Sequence, residues 1–226
     1  IGGYFIIDGK EKTVVCQEKF GDNMLYIRKA STESVSYSYS AEIRSVSENV
    51  SKPIRTLKLQ IVAPTASMKN GQIVVIIPNV RVPIPLFVLF RALGFITDKE
   101  IMGFCTFQNP EFTNPSMASY LEACVHDAGG INNQHDALKL LSMYIKGQTI
   151  TKALYILADY FLPHVGETNF LEKAFHLGYM VQRLLFVATG IEEPTDRDNY
   201  KFKRVELIGP MMKELFREYY KKQQQN

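Results

Sequence analysis

The sequence predicts an α+β fold with antiparallel strands in the first part of the chain and a helical C-terminal half. Apolar and polar residues alternate over residues 4–77, which is typical of strands with one buried face. Further along, apolar residues recur at three- and four-residue steps, which is typical of amphipathic helices. The composition, with 46% hydrophobic and 22% charged residues among 226, is ordinary for a globular protein. This length is sufficient for one well-formed core with flanking segments.

The strands follow from alternation and turn signals. Residues 4–7 and 12–17 flank Asp8-Gly9, and this pattern predicts a β-hairpin. Alternation predicts four more strands, over residues 24–28, 35–46, 55–62 and 72–77. The last two form a hairpin-like pair around Asn70-Gly71. Three prolines then follow, and we expect them to prevent further ladder hydrogen bonds: Pro78, Pro83 and Pro85.

The helices follow from periodicity, capping residues and breakers. The first is expected to begin at Pro85 or Leu86 and to end at Gly94. The others are predicted over residues 97–104 (a capping box), 117–125 (capped by Ser116), 136–145, 151–162, 169–189 and 211–220, with fraying at 221–226. The longest helix carries a predicted buried stripe of Leu171, Ala174, Phe175, Gly178, Val181, Leu185 and Ala188. Gly178 costs helix propensity, so we expect it to permit close approach of another element.

Charge and cysteine content exclude several classes of protein. Lys and Arg number 26 against 23 Asp and Glu, so the net charge of +3 does not by itself indicate nucleic-acid binding. Cys16, Cys105 and Cys124 are widely spaced and form no CxxC pair, which argues against a disulfide framework and a structural zinc site. The apolar runs are too short to cross a bilayer, and no signal-peptide pattern opens the chain. We expect an intracellular fragment of a longer protein, with no membrane partner.

Few residues form a pattern typical of catalysis or metal binding. Cys124, His126 and Asp127 lie within four residues, but positions i and i+2 at a helix end point to different sides. A surface cluster is therefore favoured over a nucleophile–base pair. His164 and His176 have no partner at metal-ligand spacing and are expected to be structural or solvent-facing. No glycine-rich phosphate loop is present in the sequence.

Residues 196–210 combine four cations and three carboxylates in fifteen residues. One interpretation is a solvated loop whose charges pair with one another. The other is a structured connector whose cations either link neighbouring segments or face a polyanion. Asp196 and Asp198 are possible Mg²⁺ ligands, but the intervening Arg197 favours pairing with cations.

This stretch resembles the Asp-Arg-Asp-aromatic and Lys-Arg-x-x-Leu-x-Gly-Pro segment of the second-largest subunit of multi-subunit DNA-directed RNA polymerases. Residues 2–12 are similar to the Gly-Gly-Tyr-Phe-Ile-Ile-Asn-Gly hairpin of the same family. Four further similar segments follow in the order that the family has them: residues 41–45, 90–94, 161–164 and 173–185. The resemblance covers nearly the whole chain.

The resemblance implies a division into a protrusion hairpin at residues 1–20, a lobe domain at 21–195, and a return to the protrusion at 196–226. In this family the lobe is one wall of the cleft that admits downstream DNA, and its outer surface docks transcription initiation factors. The implied partners are the other polymerase subunits, especially the largest, together with the DNA template and initiation factors. The catalytic magnesium is held by the largest subunit. We therefore expect no catalytic residue, metal site or cofactor in this chain.

Three functional hypotheses follow. The chain is a wall that guides DNA, or it is mainly a protein-interaction module for initiation factors with little DNA contact, which the small net charge favours. A separate enzyme using Cys124 and His126 is the third and remote hypothesis. Six cations are candidates for contact with nucleic acid or for internal pairing: Arg28, Lys29, Arg44, Lys201, Lys203 and Arg204.

The chain departs from the family pattern at two places. Lys201-Phe202 stand where the family has Gly-Asn, which puts a tight turn in doubt and adds a cation. Residues 106–150 are weakly similar and shorter than in the family. These departures favour a divergent member of the eukaryotic branch from a large DNA virus. The expected location is the nucleus, or the virion and cytoplasm for a viral protein.

Overall fold

The computed structural model describes residues 2–31, 36–49, 52–64, 71–107 and 115–225. The chain forms two compact units, a larger one of Asp22–Thr195 and a smaller one of Ile1–Gly21 with Asp196–Asn226. The strands are β1 Tyr4–Ile7, β2 Lys10–Thr13, β3 Gln17–Phe20, β4 Leu25–Lys29, β5 Tyr37–Ser45, β6 Arg55–Val62, β7 Ile73–Ile76, β8 Ile84–Pro85 and β9 Lys203–Glu206. The helices are α1 Leu86–Leu93, α2 Asp98–Thr106, α3 Pro115–Asp127, α4 Gln134–Met143, α5 Ile150–Asp159, α6 Phe170–Ala188 and α7 Ile208–Gln225. The predicted α+β class is confirmed. The assignment of these units to the lobe and protrusion stays a prediction.

The larger unit is built on a five-stranded antiparallel sheet of order β4-β5-β6-β7-β8. Strict alternation in β6 buries Leu57, Leu59 and Ile61, while the residues between them stay partly exposed. Helix α1 follows the sheet directly, and all eight of its residues are buried. It ends at Gly94, which adopts the left-handed conformation with φ 110°, as the sequence predicts.

The prolines after β7 do not end the sheet, contrary to the prediction. Pro85 lies in β8, opposite Val74 of β7. Strand β8 is the edge of this sheet, so the hydrogen-bonding side that faces away from β7 needs no donor, and proline is tolerated there. The predicted turn at Asn70 lies outside the described residues.

Helix α6 has nearly the predicted extent, and its buried face includes Ala174, Gly178, Val181 and Leu185 of the predicted stripe but not the N-terminal end of that stripe. Leu171 and Phe175 of the predicted stripe are 50% and 46% exposed, whereas Lys173 is fully buried. Ala174, Leu177, Val181 and Leu184 are also fully buried. Gly178 fulfils its prediction, because a Cβ at this position would lie 2.4 Å from the backbone oxygen of Phe104 in α2. The predicted buried stripe was wrong at its N-terminal end. Periodicity indicates which residues share one face of a helix, but it does not indicate which other elements pack against that face.

Several predicted boundaries differ from those observed. Helix α3 begins at Pro115, so Ser116 lies within it rather than capping it, and proline is favoured at a first helical position. Helix α5 ends at Asp159, before Pro163, and α7 continues to Gln225 where fraying was predicted. In the first hairpin, β2 is Lys10–Thr13 rather than residues 12–17.

The smaller unit contains the β1-β2 hairpin, the antiparallel β3-β9 pair and helix α7. The sequence did not predict β3 and β9, because their polar residues lack the alternation of a half-buried strand. Gly3, with φ 93°, lies against the side chain of Ile208, where a Cβ would clash. No helix in the described ranges is long and apolar enough to cross a bilayer.

Candidate nucleic-acid interface

Two of the six candidate cations share the outer face of the five-stranded sheet. Arg28 in β4 lies opposite Ser40 in β5. Ser40, Glu42 and Arg44 alternate along β5, so Arg28 and Arg44 belong to the same face, and both are exposed. The outer sheet face therefore carries two guanidinium groups on neighbouring strands.

The same face carries a third cation that sequence reasoning did not select. Lys58 in β6 lies opposite Glu42, and its Nζ is 3.5 Å from a Glu42 carboxylate oxygen. The alternation of Lys58 with the buried Leu57 and Leu59 was a signal for this position. One carboxylate thus stands among three cations, and we refer to Arg28, Arg44, Lys58 and Glu42 as the sheet-face cluster.

Lys29 lies apart from this cluster although it follows Arg28 in the chain. Successive side chains of a strand point to opposite faces of the sheet, and Lys29 is paired with Tyr39. It is the last residue of β4 and is exposed. Arg28 and Lys29 therefore do not contribute to one continuous surface.

In the smaller unit, Lys203 is engaged by neighbouring carboxylates. Its Nζ lies 2.9 Å from Glu18 and 3.7 Å from Asp198, and 4.0 Å from the centre of the Phe20 ring. The hydrogen bond with Glu18 raises the pKa of this lysine. Its geometry corresponds to the internal-pairing interpretation rather than to a free cation.

Arg204 and Lys201 are exposed at a turn. The Arg204 guanidinium donates to the carbonyls of Lys201, at 2.9 Å, and Lys203, at 2.7 Å. Residues Tyr200–Phe202 form a 3₁₀ turn, and the Asn199 side chain accepts a hydrogen bond from the Lys201 amide. The doubt about a tight turn was wrong, because a 3₁₀ turn needs no glycine conformation and an asparagine cap is sufficient.

The two aspartates of this stretch do not converge on a cation site. Asp196 accepts a hydrogen bond of 2.9 Å from the amide of Asp198, whose own carboxylate faces Lys203. Pairing with a cation is therefore observed for Asp198. Among the described residues, no group of three or more His, Cys, Asp or Glu side chains is arranged to hold a metal ion.

The predicted surface cluster at the end of α3 is wrong for Cys124. This thiol is buried, and its Sγ accepts a hydrogen bond of 3.2 Å from the amide of Ile73 in β7. Burial raises the pKa of Cys124 to about 12, which disfavours the thiolate that a nucleophile requires. His126 is exposed, so the two side chains lie on different sides of the helix end.

His164 and His176 are neighbours in space, which sequence spacing did not indicate. Their ring centres are 4.9 Å apart, and the His164 Nδ1 is 2.7 Å from the hydroxyl of the buried Ser45. Burial, with smaller contributions from His176 and Lys173, lowers the pKa of His164 to about 4. One turn before His176, the ammonium of Lys173 donates to the carbonyls of Leu157 and Ala158 at the end of α5, each at 2.8 Å. These are structural roles within the core.

The family model for RNA polymerase Rpb2, domain 2 matches residues 44–206. The chain belongs to this family. It is similar to DNA-directed RNA polymerase II subunit RPB2 of Encephalitozoon cuniculi, with 38% identity over 98% of the chain and 19% of that protein. It is also similar to DNA-directed RNA polymerase II subunit 2 of Arabidopsis thaliana, with 36% identity over 98% of the chain and 19% of the relative.

An archaeal relative, DNA-directed RNA polymerase subunit Rpo2 of Saccharolobus shibatae, is 31% identical over 97% of the chain and 19% of its own length. The chain thus spans about a fifth of the length of the Rpb2 relatives that it matches. The predicted resemblance to the second-largest polymerase subunit is confirmed. These relatives are eukaryotic and archaeal, and the viral origin stays a prediction.

Proposed function

We propose that this chain forms the lobe, with flanking protrusion segments, of the second-largest subunit of a DNA-directed RNA polymerase. In this role it is one wall of the DNA cleft and guides the template by contacts with phosphates. Nucleotidyl transfer belongs to the assembled enzyme, with magnesium held by another subunit. The proposed location is that of the polymerase, which for a eukaryotic enzyme of this kind is the nucleus.

The observation that carries this proposal is the match to polymerase second subunits along almost the whole chain. The sheet-face cluster supports the guiding role, because a sheet face that carries Arg28, Arg44 and Lys58 presents several donors to a phosphate backbone. Lys203 contributes less, since Glu18 and Asp198 already neutralise it.

A second candidate function is a protein-interaction module that docks initiation factors and makes little contact with DNA. The net charge of only +3 and the position of Glu42 within the sheet-face cluster favour it. The two functions predict different salt dependences. Phosphate contacts release counterions, so DNA affinity falls as salt increases, whereas a module that barely contacts DNA contributes little to this salt dependence.

The test uses the polymerase that contains this chain. Arg28→Gln, Arg44→Gln and Lys58→Gln are combined, and the DNA dissociation constant is measured over a series of salt concentrations. Under the DNA-guiding proposal, the slope of log affinity against log salt becomes shallower by up to roughly 0.9 for each phosphate that the variant no longer neutralises. An unchanged slope and affinity, together with weaker binding of initiation factors, would instead establish the protein-interaction function.

Two matched sets serve as controls. Lys99→Gln removes an exposed lysine of α2 outside the sheet and is expected to leave the slope unchanged. The combined substitution of Lys201, Lys203 and Arg204 by alanine tests the smaller unit separately. Because Lys203 and Arg204 are engaged by neighbouring carboxylates and carbonyls, we expect a smaller effect on the slope from this set than from the sheet face.

A further inference from the structure

A groove of about 360 Å³ lies between helix α5 and the turns that follow β7 and α4. Its apolar floor includes Ile145 and Ile156, and one wall is formed by Tyr155 and Tyr160, whose ring centres are 5.9 Å apart. The turns are held together by a bridge between Val80 and Ile145. This volume falls in the range of about 300–1,000 Å³ that is typical of pockets for small groups. The groove is thus formed by ordered backbone rather than by side chains alone.

The lip of the groove is cationic. Lys146 and Lys152 line it, and both are exposed. Within the described part of the chain neither ammonium forms an ion pair, in contrast to Lys52, which pairs with Asp159 at 2.7 Å and with Glu167. The Lys152 side chain lies across Gly147, where a Cβ would meet its Nζ at 2.2 Å. Two unneutralised positive charges therefore flank an apolar floor.

A carboxylate that contacts this wall, Asp159, is already paired with other cations. Asp159 pairs with Lys52 and with Arg55, at 3.6 Å, and the Tyr155 hydroxyl donates to it at 3.4 Å. Arg55 also lies 3.7 Å from the centre of the Tyr160 ring. These contacts hold both tyrosines in place and leave Asp159 unable to neutralise the lysines of the lip. Lys146 and Lys152 are thus the charged side chains that line the groove.

We propose that this groove binds an acidic peptide segment of a partner protein, with one aromatic or aliphatic side chain on the Ile145–Ile156 floor and carboxylates on Lys146 and Lys152. Charge complementarity selects acidic residues, and the concave apolar floor selects a single bulky anchor beside them. This inference specifies a partner for the protein-interaction function proposed above. It rests on that function only in taking the ligand to be a protein.

A peptide fits this geometry better than a nucleic acid does. Single-stranded nucleic acid binding combines aromatic stacking surfaces with a cationic path that follows the backbone over several nucleotides. Here two cations stand at one lip, and the Tyr155 and Tyr160 rings are tilted by 68° to one another, so they do not form a stack for successive bases. An apolar floor also offers phosphate groups no hydrogen-bond donors.

The test measures fluorescence anisotropy of the 226-residue chain with a labelled peptide in which one phenylalanine is flanked by aspartates. The double substitution K146E/K152E is expected to raise the dissociation constant by roughly tenfold or more, because each attraction becomes a repulsion. Tyr155→Ser, at a side chain that is 57% exposed, removes one wall and is expected to weaken binding by roughly threefold to tenfold. All of these positions are exposed, and circular dichroism checks that each variant folds.

Matched controls separate the groove from general electrostatics. Lys99→Glu introduces the same kind of charge reversal outside the groove and is expected to change the dissociation constant by less than roughly twofold. A peptide with glycine in place of phenylalanine is expected to bind more weakly, by roughly tenfold, since it leaves the floor empty. An oligothymidylate probe provides the nucleic-acid comparison.

Three results would overturn the proposal. They are equal effects of K146E/K152E and Lys99→Glu, equal binding of the two peptides, and an oligothymidylate that binds more tightly than the acidic peptide and is weakened by the groove variants. The last result would assign the groove to nucleic acid. None of these outcomes bears on DNA guidance by the sheet face. That function is tested separately, by the salt dependence of DNA binding in polymerase variants at Arg28, Arg44 and Lys58.

Discussion

The two units of this chain are stabilised in different ways. Every buried apolar side chain among the described residues lies between Tyr26 and Val187, within the larger unit. The smaller unit buries none of its large apolar side chains that the structure describes, and Ile6 and Phe216 remain 77% and 69% exposed. Its order comes from the β1-β2 and β3-β9 ladders and from surface ion pairs such as Lys203–Glu18.

The difference indicates where each unit obtains its free energy of folding. Burial of apolar area is the dominant favourable contribution, at about 25 cal/mol for each Å², whereas exposed ion pairs contribute about 0–1 kcal/mol each. The larger unit has a core of its own. The smaller unit presents an apolar face on α7, including Leu215, Phe216 and Tyr219, that its own strands do not bury. The following experiments challenge this comparison, beginning with the largest expected effect.

The core of the larger unit is expected to be the most sensitive region. Phe87 in α1 is fully buried, and Phe87→Ala should lower the free energy of unfolding by about 3–5 kcal/mol, through reduced apolar burial and the cavity left behind. Urea denaturation followed by circular dichroism measures this. Phe216→Ala is the matched substitution in the smaller unit and should change the same quantity by less than about 0.5 kcal/mol. Similar losses in the two variants would contradict the contrast between the units.

A second comparison uses two helical glycines. Gly178→Ala places a methyl group against the backbone of α2 and should destabilise the chain by about 1–3 kcal/mol, although alanine favours helices. Gly209→Ala in α7 meets nothing within 4 Å and should be neutral or stabilising by up to about 1 kcal/mol. The effects are thus expected to have opposite signs in urea denaturation. A stabilising Gly178→Ala would show that α2 and α6 are not packed at this glycine.

Acid should destabilise the larger unit through its half-buried histidines, His164 and His176. The pKa of His164 is lowered from 6.5 to about 4 by burial and by the nearby His176 and Lys173, and burial also lowers the pKa of His176. The unfolded chain therefore binds more protons than the folded chain between pH 6.5 and 4, and the free energy of unfolding falls as the pH falls. Because His164 is partly open to water, we expect a loss of about 1–2 kcal/mol.

Urea denaturation at a series of pH values measures this acid dependence. His164→Gln should remove most of it, whereas His126→Gln, at an exposed histidine of α3, should retain it. An unchanged pH profile in His164→Gln would assign the acid sensitivity to His176 or to carboxylates instead.

The smallest effect is expected at the surface of the smaller unit. Glu18→Gln removes the carboxylate 2.9 Å from Lys203, and the exposed Glu18 side of this pair is screened by water and salt. We expect no resolvable change in the urea midpoint of the chain. A clear loss of stability would mean that the β3-β9 pair depends on this contact more than on its backbone ladder.

The candidate site was only partly predictable from the sequence. The alternation of apolar and polar residues in β5 and β6 identified the solvent-exposed face that carries Arg44. The same alternation would have identified Lys58. Arg28 and Lys29 were both candidates, but a strand places successive side chains on opposite faces, so only Arg28 lies on the same face as Arg44. The engagement of Lys203 by Glu18 was not predictable, because the two residues are distant in sequence and meet only through the β3-β9 ladder.

The sequence by itself determined the α+β class, the ends of α1 and α6, the need for a small residue at Gly178 and the similarity to polymerase second subunits. These features are fixed by local periodicity, backbone preferences and motif order, which each segment carries alone. Only the tertiary structure decided that Lys173 and Cys124 are buried, that His164 meets His176, and that Lys146 and Lys152 flank one apolar groove. Burial and pairing depend on which surfaces distant segments bring together, and long-range contact is not encoded in the spacing of any one segment.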